Sequence, residues 1–237
     1  MIGLSKRFSA VILAGGISSR MGGISKQQSL LLGLPVIVYT LQAFERAPSC
    51  AEILVVSRED ECKLYEDYKT RYGISKLKGA VPGGSTRQES AFIGMEHLPD
   101  ADYLAFHDAA RCLITPENIE NVFKAAKKYK SAAACTAASD TIKLVDFSGK
   151  TVPDKQTDRS RLRCMQTPQI FYGDLYRAAA YTAKEDGFVG TDDCALLEHV
   201  GFGVKTVDCG RENLKITTPV DLLFAEALLR QRKEEKS

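Results

Sequence analysis

Short apolar runs alternate with amphipathic stretches along most of this chain, and the alternation predicts strands and helices in turn. The strand-like runs are Phe8–Leu13, Glu52–Ser57, Leu77–Val81, Tyr103–His107 and Ala132–Thr136. Between them, Pro35–Arg46, Glu59–Tyr72, Thr86–Leu98 and Pro116–Tyr129 read as helices. Thr115 supplies an N-cap before Pro116, and proline is at home in the first helical position, where its missing N–H would have no partner. Alternation of this kind predicts an α/β fold with a largely parallel sheet and helices on both faces.

Residues 139–165 break the rhythm. Thr141–Val145 is strand-like, Asp146–Gly149 is a turn, and Thr151-Val152-Pro153 begins a short return. The stretch that follows is nearly all polar, so a protruding β-arm at about 139–165 is expected rather than a core element. From residues alone, a solvated hairpin without a partner is the favoured account. Near the end, Thr218-Pro219 opens a helix that runs to about Arg230, followed by a charged tail.

Composition narrows the class without naming a chemistry. At 237 residues, one buried α/β domain spanning 1–237 suffices. A net charge of +2 lacks the basic bias of a nucleic-acid partner, and no apolar run approaches the ~20 residues of a membrane span. Seven scattered cysteines with no Cys-x-x-Cys, and three histidines, argue against a zinc site. They suit a reducing, cytoplasmic setting.

Candidate chemistry sits at the ends of the strands. Ala10-Val11-Ile12-Leu13 runs into Ala14-Gly15-Gly16, and Arg20 and Lys26 follow within the same loop. Glycines after a strand let backbone N–H groups close around an anion, so the loop reads as a polyphosphate cradle. It is neither a Walker A loop nor the dinucleotide fingerprint. Taken alone, it is equally a tight turn with two solvated cations. A second turn, Pro82-Gly83-Gly84, precedes Ser85-Thr86-Arg87-Gln88-Glu89-Ser90, where Ser85 and Gln88 match a capping box. Open N–H groups at such a helix start attract phosphate or the polar edge of a base. The run Tyr103–His107 ends in Asp108, a carboxylate where open α/β sheets bind ligands, and with nucleotide present it could hold Mg²⁺.

Together these strings resemble the 2-C-methyl-D-erythritol 4-phosphate cytidylyltransferase family. The resemblance continues through Asp140-Thr141-Ile142-Lys143, Gln166-Thr167-Pro168-Gln169, Thr191-Asp192-Asp193 and Asn213-Leu214-Lys215-Ile216-Thr217. It covers about residues 8 to 230, in the family's order. Three positions depart from the usual pattern: Ser25 before Lys26-Gln27, Cys112 after Arg111, and Leu162-Arg163 before the Gln-Thr-Pro-Gln string. None removes a charged group.

The resemblance implies a Rossmann-like nucleotidyltransferase that moves CMP from CTP to a phosphorylated sugar alcohol, releasing pyrophosphate for isoprenoid precursor biosynthesis. Arg20, Lys26, Arg159 and Lys215 would be the catalytic cations. Ala14, Gly15, Gly16, Gly84, Arg87, Ser90, Asp108, Ala109, Arg111, Thr141 and Thr167 would bind substrate, with Asp108 also on Mg²⁺. Gly84 and Ser90 would meet cytosine; Lys215, Thr167, Thr141 and Arg159 would meet the acceptor phosphate. The arm would cross to a second subunit of a homodimer. His107 is expected to be structural, and Asp192 and Asp193 to cap a helix. Three rivals remain: a ribitol-5-phosphate cytidylyltransferase, a transferase using UTP or GTP, and a non-catalytic nucleotide-binding protein.

Overall fold

The computed structural model describes residues 6–16, 26–152 and 158–235. β1 (Phe8–Leu13) is followed by a small hairpin of β2 (Leu30–Leu31) and β3 (Leu34–Pro35), then α1 (Val36–Arg46). Leu32 and Gly33 both take positive φ, 48° and 84°, as a tight two-residue hairpin requires. β4 (Cys50–Ser57), α2 (Cys62–Arg71), β5 (Leu77–Pro82), α3 (Arg87–Glu96), β6 (Tyr103–Asp108) and α4 (Pro116–Tyr129) continue the alternation. β7 (Ser131–Ala137), β8 (Arg163–Tyr172), α5 (Gly173–Glu185), α6 (Asp193–His199), β9 (Lys205–Asp208) and α7 (Pro219–Glu234) complete it.

Seven strands form one sheet in the order β5-β4-β1-β6-β8-β7-β9. β1 pairs in parallel with β4 and β6, β4 with β5, and β7 with β9; β8 runs antiparallel to both of its neighbours. The expected mostly parallel α/β sheet is therefore present. β1 illustrates why it is buried on both faces. Phe8, Ala10 and Ile12 pack with α1, α2 and α4, whereas Val11 packs with α3, α5 and α6. Such two-sided burial is what a near-continuous apolar strand needs. Gly94 lets α3 lie close on β1, since a Cβ there would come 2.4 Å from Val11 Cγ1.

α4 begins and ends where the sequence placed it, with the Thr115 hydroxyl accepting from Asn118 N–H. The start of α3 differs by one residue. Thr86 is the cap and accepts from Glu89 N–H, while Glu89 reaches back to the N–H and hydroxyl of Ser85. Gln88 is therefore released from the expected capping box. The helix expected over 59–72 splits into a 3₁₀ turn, Glu59–Glu61, and α2.

The arm is also shorter than expected. Arg163, Cys164 and Met165 belong to β8 in the central sheet, paired with β7. Over 139–152 the backbone pairs through one bridge, Val145 with Thr151, and the Asp146 carboxylate organises the turn by accepting from Ser148 and Lys150 N–H. Pro153, at the start of the expected return, lies outside the described residues. Among the described residues, no helix is long and apolar enough to cross a membrane.

Candidate active site

The strand order reverses at β1: β4 and then β5 lie to one side, β6 to the other. At such a switch point the C-terminal ends of the strands diverge and leave a crevice. Leu13 and Asp108 are register partners at this edge. A cavity of about 830 Å³ opens above them, and Ala14, Gly15, Gly16, Lys26, Gly84, Arg87, Ser90, Asp108, Ala109 and Lys215 all line it. Residues far apart in the chain are thus brought to one place. Arg20 lies outside the described residues.

The first glycine turn is fixed from below and open above. Ala14 N–H donates to Val56 O at 2.7 Å, and the buried Gln27 side-chain amide donates to Ala14 O. Among the described residues a Cβ on Gly16 would meet nothing within 4 Å, so none of them is relieved of a clash by the glycine, whose bare backbone suits close approach of a ligand.

The second turn is packed on itself. Gly83 N–H donates to Ser57 O at 2.7 Å, and Gly84 N–H to Ser90 Oγ at 3.1 Å; Ser90 in turn donates to Thr86 O. A Cβ on Gly83 would lie 2.8 Å from Ser90 Oγ, and one on Gly84 only 2.2 Å from Glu89 Cγ. In the turn before the helix the N–H groups of Gly84 and Ser85 are therefore already engaged, and at the helix start, where open N–H groups are expected, that of Glu89 is taken by Thr86. Ser90 shapes the turn that borders the cavity.

Asp108 is the electrostatic centre. Lys215 Nζ stands 2.8 Å from it, Arg87 Nε 3.4 Å and Arg111 Nε 3.7 Å. Burial alone would raise its carboxyl pKa, but Lys215 and Arg87 outweigh that and hold it well below the usual carboxylate range. Beneath it, Asp108 N–H donates to Thr167 Oγ1 at 3.0 Å, and Thr167 Oγ1 is 3.1 Å from His107 Nδ1. Full burial pushes the His107 pKa down to about 3, so the ring is neutral at physiological pH. A neutral ring satisfies both contacts when Thr167 O–H donates to Nδ1 and Nε2–H donates to Arg111 O at 3.3 Å. His107 is structural, as expected. Thr167 supports the site from beneath and does not line the cavity.

Lys215 owes its place to a clamped loop. Asn213, buried, donates to Gln166 Oε1 and Thr167 O, both at 2.9 Å; Ile216 N–H donates to Ala110 O. Arg111 also lies outside the cavity lining and donates to Asn213 O at 2.8 Å. Thr141 and Arg159 are exposed on the arm, away from this lining; Arg159 donates to Ser139 O at 3.0 Å.

Asp192 caps α6, accepting from Ala195 N–H, whereas Asp193 is buried against Arg87. Arg58, which the sequence reading missed, also lines the cavity. Its signal was position: it directly follows β4, at the same edge of the sheet as Ala14. Burial pushes the Cys112 thiol up to about 12, which fits a core thiol with no part in the chemistry.

Glycine turns and a group of cations at the switch point of a parallel sheet define the nucleotide-binding α/β class. Within that class, the chain belongs to the 2-C-methyl-D-erythritol 4-phosphate cytidylyltransferase family, whose model matches residues 8–231. It is 39% identical over 224 residues to the enzyme of that name from Clostridium acetobutylicum, covering 94% of this chain and 97% of the relative. The Bacillus anthracis enzyme is 36% identical, with 96% of this chain and all of the relative covered. Among solved structures, the 4-diphosphocytidyl-2C-methyl-D-erythritol synthase of Anaerococcus prevotii superposes with a TM-score of 0.84 at 30% identity, covering 95% of this chain and 96% of that one.

Proposed function

We propose that this protein transfers CMP from CTP to 2-C-methyl-D-erythritol 4-phosphate, giving 4-diphosphocytidyl-2-C-methyl-D-erythritol and pyrophosphate. The observation that carries the reading is the convergence of Lys26, Arg87 and Lys215 on one cavity beside Asp108. An acceptor phosphate oxygen attacks the α-phosphorus of CTP; the new P–O bond forms as the bond to the bridging oxygen breaks and pyrophosphate leaves. The second pKa of a phosphomonoester is about 6, so the nucleophile is already an anion and needs no general base. What the reaction needs is in-line positioning and neutralisation of charge between two anions.

Lys26, with Arg20, stabilises the α-phosphate and the leaving pyrophosphate, and Lys215 draws in the acceptor phosphate. Asp108 is the carboxylate of the cavity lining, and the described residues contain no cluster of three or more metal-binding side chains. One carboxylate suits Mg²⁺, which takes its remaining ligands from phosphates and water. Asp108 would hold the ion in exchange for a cation now beside it, Lys215 at 2.8 Å or Arg87 at 3.4 Å, and the ion's charge would offset that of the triphosphate. The arm, through Thr141 and Arg159, completes the acceptor site of the second subunit in a homodimer. Seven free cysteines agree with a cytoplasmic setting.

Pyrophosphate release tests the reading, with CTP or UTP supplied and methylerythritol phosphate or ribitol 5-phosphate as acceptor. The expected result is release that requires CTP, methylerythritol phosphate and Mg²⁺, and stops in excess chelator. A higher kcat/KM with ribitol 5-phosphate would reassign the acceptor, and release without any acceptor would refute transfer.

A further inference from the structure

Arg87 enters the cavity from the first turn of α3, but its guanidinium is held from behind. Its Nη2 lies 2.8 Å from Asp193 Oδ2, while Nε faces Asp108 at 3.4 Å. Asp193 is 1% exposed, and its other oxygen accepts from the Tyr176 hydroxyl at 2.8 Å. Tyr176 is itself fully buried, stacked on Phe171 with ring centroids 5.2 Å apart. The backbone of Asp193 is fixed as well, its N–H donating to Gln169 Oε1 at 3.0 Å. The adjacent Gln88 bolts the same end of α3 to the segment before α6. It donates to Phe188 O and accepts from Gly190 N–H, both at 2.9 Å.

We infer that Asp193, held in place by Tyr176, is a positioning residue that fixes Arg87 in the nucleotide cavity. An arginine is long and flexible, and a site on a rigid element is only as well placed as the contacts behind it. Asp108 alone would not fix Arg87, because Lys215 sits nearer to that carboxylate. Asp193 is a second anion, at Nη2 where Asp108 faces Nε, and it stands on a buried tyrosine rather than in water. Asp193 touches no substrate and acts through Arg87. The inference rests on the proposed binding of CTP in this cavity.

A double-mutant cycle tests it. Asp193→Asn keeps the size of the side chain but removes its charge, and should raise KM for CTP about tenfold with kcat within about threefold of wild type, the signature of lost ground-state positioning. In an Arg87→Ala background the same substitution should have no further effect on KM. A purely structural role would instead multiply with Arg87→Ala, and that additivity in free energy would overturn the inference. Tyr176→Phe removes only the hydroxyl and should raise KM about threefold, again with no effect once Arg87 is gone; it serves if Asp193→Asn folds poorly. The dissociation constant for CTP, measured by calorimetry, should follow the same cycle. Absence of pyrophosphate release in a protein that binds CTP would therefore refute the proposed reaction and still leave the inference to be judged.

Discussion

Lys215 Nζ lies 2.8 Å from Asp108 Oδ2, joining the loop before α7 to the C-terminal end of β6 across more than a hundred residues of chain. The pair sets a pH signature. Asp108 has a folded-state pKa below its unfolded value, so its contribution to stability is complete above the ordinary carboxylate pKa of about 3.9. That contribution is lost as pH falls through the depressed value. Lys215→Ala should therefore lower the urea midpoint at pH 7, and its difference from wild type should narrow below about pH 4. A difference that stays constant with pH would separate the two residues energetically. The same variant should lower kcat/KM by about a hundredfold, as expected on losing one preorganised cation.

His107, neutral in the fold, would gain the opposite kind of charge on titration, yet it gives the same sign of pH dependence. Its pKa is held near 3 by burial, against about 6.5 in the unfolded chain. Below pH 6.5 the unfolded state takes up a proton that the folded state refuses, so stability falls with pH until about pH 3. The slope from this group is at most about 1.4 kcal/mol per pH unit. His107→Gln, which keeps a polar partner for Thr167, should flatten the stability profile between pH 6 and pH 4. Parallel profiles for the two proteins would show that the ring already carries its proton in the fold.

Local signals made part of this architecture readable. Thr115 and Pro116 announce α4 without any tertiary help, and the two glycine turns mark strand ends at the crevice. Where two hydroxyls stand side by side, the local signal divides. Ser85 with Gln88 and Thr86 with Glu89 both match a capping box; the helix takes Thr86 as its cap, while Glu89 accepts from Ser85. β8 was hidden for another reason. Pro168 and its polar neighbours interrupt the apolar pattern, and the sheet accommodates them where the register between β7 and β8 shifts. That shift places Gln166 and Thr167 under the cavity, where they hold Asn213 and Asp108. Asp192 and Asp193 are adjacent acids at a helix start, and nothing local says that one caps while the other is buried against Arg87. Such roles are set by neighbours distant in sequence.

Lys26 tests the first glycine turn. It lines the cavity beside Gly15 and Gly16, on the loop that would hold the α-phosphate. Lys26→Ala should lower kcat by about 10²–10³, the cost of one preorganised donor to a developing oxyanion. Its thermal midpoint should stay close to that of wild type, because a partly exposed loop lysine contributes little packing. An unchanged kcat in single-turnover measurements would remove Lys26 from the reaction.

The arm poses the question of whether one chain completes its own acceptor site. Arg159 lies outside the lining of the cavity that holds Lys215, and the arm exposes Ile142, Leu144, Val145 and Phe147. In the proposed homodimer, Arg159 of one subunit serves the Lys215 site of the other. Arg159→Ala and Lys215→Ala should then each nearly abolish transfer, since each strips a cation from the acceptor phosphate. Co-expressed, the two inactive proteins should pair at random into symmetric dimers. Each mixed dimer then contains one site with both cations and one with neither. Half of the dimers are mixed and half of their sites work, so activity should return to about a quarter of wild type. If both residues instead serve the same subunit, every site carries one substitution and mixing restores nothing. Differently tagged subunits, purified through both tags, isolate the mixed dimers, which should show about half of wild-type activity. No recovery in that fraction would overturn the shared site.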